Sequence, residues 1–69
     1  MNLPEIGQAL KGQRIEQGLT QLDISDKIGY SVSSIRNMEH GKGGVLFTRY
    51  MEYAFALGLQ INFVLEDEK

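Results

Sequence analysis

The most constraining feature of this 69-residue chain is a glycine that divides two short amphipathic runs. The segment TQLDISDKIGYSVSSIRNMEHGK covers Thr20–Lys42 and carries Gly29 near its middle. Glycine readily adopts the left-handed conformation that ends a helix and turns the chain. The sequence therefore predicts two short helices joined by a tight turn at Gly29.

Capping signals place a further helix before this pair. The first helix is predicted over about residues 4–17, and Gly18 then stops it. Thr20 and Asp23 resemble a capping box, which predicts that the second helix begins there and ends at Gly29.

The third and fourth helices are predicted in the same way. The third helix covers about residues 31–40, with Ser31 as its N-cap. Thr48 is the predicted N-cap of the fourth helix, which ends at Gly58. The apolar residues of that helix cover a broad face and are Tyr50, Met51, Ala54, Phe55 and Leu57.

The period of apolar residues changes in residues 60–66, where alternation is typical of a half-buried strand. The alternating apolar residues are Ile61, Phe63 and Leu65. A lone strand leaves its backbone groups unpaired, so we expect it to pair antiparallel with the same strand of a second copy in a homodimer. A frayed tail and a fifth short helix are the alternatives. The sequence thus predicts an all-α domain over residues 1–59 and a dimerisation element over residues 60–69.

The composition argues against several classes of function. The chain has no cysteine and a single histidine, His40, so no metal site, cofactor site or catalytic Ser/His/Asp set is predicted. We therefore expect no enzyme activity. No apolar run is long enough to span a membrane, and the amino terminus lacks the pattern of a secretion signal, so a cytoplasmic protein is expected.

The charge of the chain is uneven. The net charge is −2, which is low for a protein that binds nucleic acid. Residues 1–49 carry six basic and five acidic side chains, a balance of +1, whereas residues 50–69 carry one basic and four acidic side chains, a balance of −3. The acidity therefore lies mostly at the carboxyl end, where it can stay away from a phosphate backbone.

The third helix separates its polar and apolar residues. On a helical wheel Ile35 and Met38 point one way, and the opposite arc consists of Val32, Ser33, Arg36, Asn37 and His40. Arginine can donate two hydrogen bonds to guanine, and asparagine can pair with adenine through two bonds. The side chains of Val32 and Ser33 are short, so the backbone could approach a base edge closely.

Other polar residues near the two central helices are candidates for phosphate contacts. They are Thr20, Gln21, Lys27, Ser31, Lys42 and Arg49. His40 is a further candidate, and its position at a helix end favours a solvated residue over a phosphate contact. The polar arc, too, could be an ordinary solvated face if the pattern stood alone.

At these residues the chain resembles helix-turn-helix proteins of the phage-repressor family, also called the Cro/C1 or XRE family. GLTQ opens the second helix as in the family, Ser25 takes the small-residue position and Gly29 takes the turn. The segment Glu39–Lys42 is similar to the family's E-x-G-K ending, and Ala54–Leu59 is similar to its A-x-A-L-G segment. The family's apolar positions are filled by Ile24, Ile28, Tyr30, Ile35 and Met38.

This resemblance implies a lambda-repressor-like fold of four to five helices that binds double-stranded DNA. It implies that the third helix enters the major groove and the second lies across the backbone, with Gln21 on a phosphate. The implied base-reading residues are Val32, Ser33, Arg36 and Asn37. It also suggests that Arg14 pairs with Glu39 in a partly buried ion pair, rather than both being solvated charges. Gly43-Gly44-Val45 replaces the proline that the family commonly has before the fourth helix.

Two functional alternatives remain beside a homodimeric transcriptional repressor. The C-terminal strand is similar to that of antitoxin repressors of the HipB type, which suggests a toxin protein as a second partner. The net charge of −2 instead favours a protein-interaction module that keeps the fold without binding DNA. We expect steep salt dependence of DNA binding under the first interpretation only.

Overall fold

The computed structural model describes residues 2–60 and folds them into four α-helices. Their bounds are Leu3–Glu16 for α1, Gln21–Ile28 for α2, Val32–Glu39 for α3 and Phe47–Ala56 for α4. Residues 2–60 contain no strand, so this part of the chain confirms the predicted all-α domain of four helices. The predicted strand residues Ile61, Phe63 and Leu65 lie outside the described residues, as does the alternative fifth helix.

Reciprocal side-chain caps begin the first two helices. The Thr20 hydroxyl accepts from the Asp23 N–H at 3.0 Å, and the Asp23 carboxylate accepts from the Thr20 N–H at 2.8 Å, which confirms the predicted capping box. Asn2 and Glu5 form the same arrangement before α1. The Asn2 cap starts α1 at Leu3, one residue earlier than predicted. Two otherwise unpaired N–H groups are satisfied at each start.

The predicted N-cap of α4 at Thr48 is wrong. The helix begins at Phe47, and Leu46 occupies the cap position without a side-chain hydrogen bond. Phe47 packs partly buried against the core, with its ring 6.3 Å from that of Tyr50. A side-chain cap is worth about 1 kcal/mol, and the partly buried Phe47 side chain gains a share of the ~1.5–3 kcal/mol that full burial of a phenylalanine gives. Packing of Phe47 therefore outweighs the capping preference of Thr48.

All four helices contribute to one apolar core. Its buried members are Ile6, Leu10, Ile24, Ile35, Met38, Tyr50, Tyr53, Ala54 and Leu57. Ile28 is only partly buried against this core. Met51 and Phe55, predicted on the apolar face of α4, are instead 42% and 76% exposed. The broad apolar face of α4 is thus wider than the surface that the other three helices cover.

Helix α1 holds the carboxyl end of α3 by close backbone contact. Gly7 lies so near α3 that a Cβ there would be 2.3 Å from the Met38 carbonyl oxygen. Gly41, at a φ of +69°, lies against the backbone of Pro4, and a Cβ there would be 2.4 Å from the Pro4 α-carbon. Only glycine allows both approaches. The position of α3 is therefore set by contacts of backbone against backbone.

Candidate nucleic-acid interface

Helix α3 has one buried face and one exposed face. Ile35 and Met38 are fully buried, and Glu39 beside them is 1% exposed. The opposite arc carries three exposed residues, Ser33, Arg36 and His40, and two half-buried ones, Val32 and Asn37. The helix is thus fixed through its apolar side while a continuous polar arc faces outward.

The turn between α2 and α3 is built from local hydrogen bonds. Gly29 adopts a φ of +79°, and its N–H donates to the Ser25 carbonyl at 2.8 Å. The Ser25 hydroxyl donates to the Tyr30 carbonyl. Ser31 then caps α3, its hydroxyl accepting from the Ser34 N–H at 3.1 Å. These bonds confirm the predicted turn at Gly29 and cap at Ser31, and they orient α3 relative to α2.

A buried carboxylate joins α3 to the other three helices. Arg14 Nε donates to Glu39 Oε2 at 2.7 Å, and Arg14 Nη2 donates to Oε1 at 3.2 Å. Gln21 Nε2 also donates to Oε1, at 3.1 Å, and the Tyr53 hydroxyl donates to Oε2. The remaining guanidinium nitrogen, Arg14 Nη1, donates to the Leu19 carbonyl at 2.8 Å. The structure therefore brings Arg14 and Glu39 together and adds donors from α2 and α4.

This network perturbs the titration of its members. Burial alone would raise the pKa of Glu39, but hydrogen bonds from Arg14, Tyr53 and Gln21 outweigh it, so the pKa of Glu39 is lowered. The pKa of Tyr53 is raised by burial and by its bond to the Glu39 carboxylate. The hydrogen bond to Glu39 raises the pKa of Arg14 despite desolvation. Glu39 is therefore ionised and Arg14 charged at neutral pH.

Three predicted phosphate-contacting residues lie at the amino ends of α2 and α3. Thr20 and Ser31 use their hydroxyl oxygens as caps. Gln21, the first residue of α2, donates one amide hydrogen to Glu39. A primary amide has a second N–H, so Gln21 keeps a donor in a fixed orientation.

Arg49 lies beside the start of α3. Its guanidinium carbon is 4.3 Å from the centre of the Tyr30 ring, in a cation–π contact. The Tyr30 hydroxyl donates to the Glu52 carboxylate. Tyr30 directly precedes the Ser31 cap, so this stack brings a positive charge close to the amino end of α3.

The other three predicted phosphate-contacting residues lie elsewhere. His40 and Lys42 are exposed at the carboxyl end of α3, and the Lys42 carbonyl accepts from the Tyr50 hydroxyl at 3.3 Å. Lys27 lines a groove between the end of α2 and α4. That groove includes no residue of α3.

Comparison with known protein families identifies the family to which this four-helix fold belongs. A family model described as helix-turn-helix, the Cro/C1 or XRE type, matches residues 10–64. The chain belongs to this helix-turn-helix family. Its members are DNA-binding transcription regulators, and the family implies binding of double-stranded DNA. Helices α2 and α3 with the turn at Gly29 form the helix-turn-helix unit, and α3 is its second helix.

Sequence reasoning missed part of the support of this helix-turn-helix unit. The hydrogen bond that the Tyr53 hydroxyl donates to Glu39 is not predicted from the sequence. The contact of Arg49 with Tyr30 was also missed. Both join residues far apart in sequence, so no local pattern marks them. In residues 2–60 no helix is long and apolar enough to cross a membrane.

Proposed function

We propose that this helix-turn-helix protein is a sequence-specific transcriptional repressor that binds an inverted DNA repeat as a homodimer. The observation that carries the proposal is the exposed polar arc of α3 opposite a buried, hydrogen-bonded face. A recognition helix must present its side chains to base edges while its orientation stays fixed. The Glu39 network supports this requirement because it ties α3 to the other helices.

In the proposed complex the polar arc reads bases in the major groove. Arg36 is exposed and suits the O6 and N7 atoms of guanine, and Asn37 suits adenine. Val32 and Ser33, at the amino end of α3, offer a methyl contact for thymine and a small hydroxyl. Together these four residues would select the sequence of each half-site.

Phosphate contacts would hold the helix on either side of the groove. At the amino ends of α2 and α3 we assign them to Thr20, Gln21, Ser31 and Arg49, and at the carboxyl end of α3 to His40 and Lys42. Lys27 is left out of this set because it lines the separate groove between α2 and α4. A homodimer doubles the cationic contacts that Arg49 and Lys42 provide in each subunit, so we expect DNA binding to weaken steeply as the salt concentration rises.

A homodimer would place two copies of α3 about 34 Å apart, facing successive major grooves. The pairing element is the segment with Ile61, Phe63 and Leu65, whose apolar residues alternate in the sequence. The similarity of this segment to HipB-type antitoxin repressors makes a toxin protein a candidate second partner. The rival proposal, an interaction module without DNA binding, rests on the net charge of −2.

Selection of bound sequences from a random duplex pool tests the proposal. We expect enrichment of an inverted repeat with half-sites about 10 base pairs apart, centre to centre. Binding to the enriched site should weaken as the salt concentration rises. A pool that stays unenriched, with no mobility shift of any duplex at low salt, would favour the interaction module.

A further inference from the structure

Helix α4 presents a second apolar surface on the side away from the core. Tyr53 and Phe55 are two positions apart and so lie roughly 160° apart around the helix. Tyr53 is fully buried, whereas Phe55 is 76% exposed and Met51, one turn earlier, is 42% exposed. Large apolar side chains that lie together on a surface mark a site where another molecule binds.

These two exposed side chains border a groove between α4 and the end of α2. The groove has a volume of about 710 Å³. It is lined by Lys27, Ile28, Met51, Glu52, Phe55 and Ala56. Most of the lining is apolar, and its two charged residues have opposite signs. The Glu52 carboxylate accepts a hydrogen bond from the Tyr30 hydroxyl. Lys27 is the cationic residue at the rim of the groove.

We propose that this groove binds a second copy of the chain through the partner's residues 61–65. The inference rests on the proposed homodimer and adds the surface against which the paired segments pack. A two-stranded ribbon is at best marginally stable in water, so it needs an apolar surface to cover one side. The apolar side formed by Ile61, Phe63 and Leu65 meets that need on the groove.

The length and the charge of the segment both fit the groove. Five residues of extended chain span about 16 Å, and the ten-residue helix α4 is about 15 Å long. The segment is followed by Glu66, Asp67 and Glu68. These carboxylates would lie near the Lys27 ammonium at the rim, which adds electrostatic complementarity.

A segment from the partner fits better than the chain's own residues 61–65. Leu59 packs against the core cluster that contains Tyr53. Phe55 points to the opposite side of α4, so the chain's own segment would have to pass around the helix to reach it. A segment from the partner would not have to pass around α4.

Sedimentation equilibrium of full-length variants tests this interface. We expect the unmodified chain to be a dimer and Phe55→Glu to raise the dissociation constant of the dimer at least ~30-fold, as for a hot-spot aromatic residue. Phe63→Glu should have a similar effect because it alters the proposed occupant. Leu46→Glu is the matched control, since Leu46 is 67% exposed but does not line the groove. Circular dichroism checks that each variant is helical, and Phe55→Ser replaces Phe55→Glu if that variant is not.

The possible outcomes separate this inference from the proposed function. A dimer that persists in Phe55→Glu and Phe55→Ser overturns the groove interface and leaves the proposed homodimer standing. A monomeric unmodified chain overturns both the interface and the homodimer. Binding of Phe55→Glu to random duplex DNA, measured by fluorescence anisotropy, reports on DNA binding independently of either result.

Cross-linking distinguishes the partner's segment from the chain's own. The chain has no cysteine, so single-cysteine variants are clean probes. A flexible bis-maleimide should join Lys27→Cys in one copy to Glu66→Cys in another when the two variants are mixed. If the double variant instead cross-links only within one chain, the proposed occupant is wrong.

Discussion

The Met38 carbonyl oxygen lies so close to the Gly7 backbone that a Cβ on Gly7 would be 2.3 Å from it. The same Cβ on Gly7 would be 2.6 Å from the Glu39 carbonyl oxygen. Both obstacles are backbone atoms of α3, which cannot swing aside like a flexible side chain. Gly12, five positions along the same helix, has no atom within 4 Å of a Cβ position. The backbone of α3 therefore leaves no room for a side chain at Gly7, whereas a side chain at Gly12 would meet open space.

We expect Gly7→Ala to lower the free energy of unfolding by ~1–3 kcal/mol or more, because the new methyl group must displace α3. Gly12→Ala should raise the free energy of unfolding by ~0.5–1 kcal/mol, since alanine is the better helix former and meets open space. Urea titration followed by circular dichroism measures both values. Equal changes in the two variants would show that α1 does not approach α3 this closely.

The Glu39 carboxylate makes stability depend on acidity. Its pKa is lower in the folded chain than the ordinary value of 4.5. A lowered folded-state pKa contributes stability that is complete above the unfolded value and is lost as the pH falls through the folded value. The free energy of unfolding should therefore fall as the pH drops below about 4.5. At neutral pH Glu39→Gln should cost ~3–5 kcal/mol, because it leaves Arg14 buried without its counter-ion.

The pH dependence of the difference between the unmodified chain and Glu39→Gln isolates this effect. We expect the difference to be greatest near pH 7 and to shrink in acid, measured by urea titration at a series of pH values. Glu16→Gln is the control, because Glu16 is an exposed carboxylate on α1 and its loss should change stability by no more than ~0.5 kcal/mol. A difference that stays constant from pH 7 to acid would show that Glu39 does not titrate as described.

Local signals explain why the helix-turn-helix unit was predictable. Thr20, Gly29 and Ser31 each act on residues a few positions away, so their roles are visible in the sequence. The error at Thr48 came from the same reasoning, because a weak local preference yielded to the packing of Phe47. The donors that Tyr53 and Gln21 bring to Glu39 cross 14 and 18 positions, and no periodicity reveals them.

Replacing a base-reading residue and replacing a phosphate-contacting residue should have different effects on the affinity for preferred and random duplexes. Arg36→Ala is expected to cost ~1–3 kcal/mol on the preferred site and to relax the preference at one base pair. Gln21→Ala should weaken preferred and random duplexes alike, because a phosphate contact carries no sequence information. Fluorescence anisotropy on both duplexes gives the two losses. Arg36 would not read a base if its replacement weakened both duplexes equally.

Lys42 offers a sharper measure of phosphate contact. Removing one cation from the interface should reduce the slope of log K against log salt by about 0.9 for each subunit. We therefore expect Lys42→Ala to flatten the salt dependence and to leave the sequence preference unchanged. Lys11→Ala on α1 removes the same charge outside the proposed interface and serves as the control. The same flattening in both variants would point to a general effect of net charge.

The stack of Arg49 on Tyr30 predicts that an aromatic ring positions a phosphate-binding cation. The Arg49 guanidinium lies over the ring at 4.3 Å, next to the residue that caps α3. Tyr30→Ala removes the ring and should weaken binding to all duplexes, because a released Arg49 must be ordered again on binding. Tyr30→Phe keeps the ring under Arg49 and loses the hydroxyl that bonds Glu52, so DNA binding should stay within twofold of the unmodified chain, about 0.4 kcal/mol. Anisotropy titrations of both variants, with thermal melts to confirm folding, test this. Equal weakening by Tyr30→Phe would assign the effect to the hydroxyl, and unchanged binding by Tyr30→Ala would remove Arg49 from the interface.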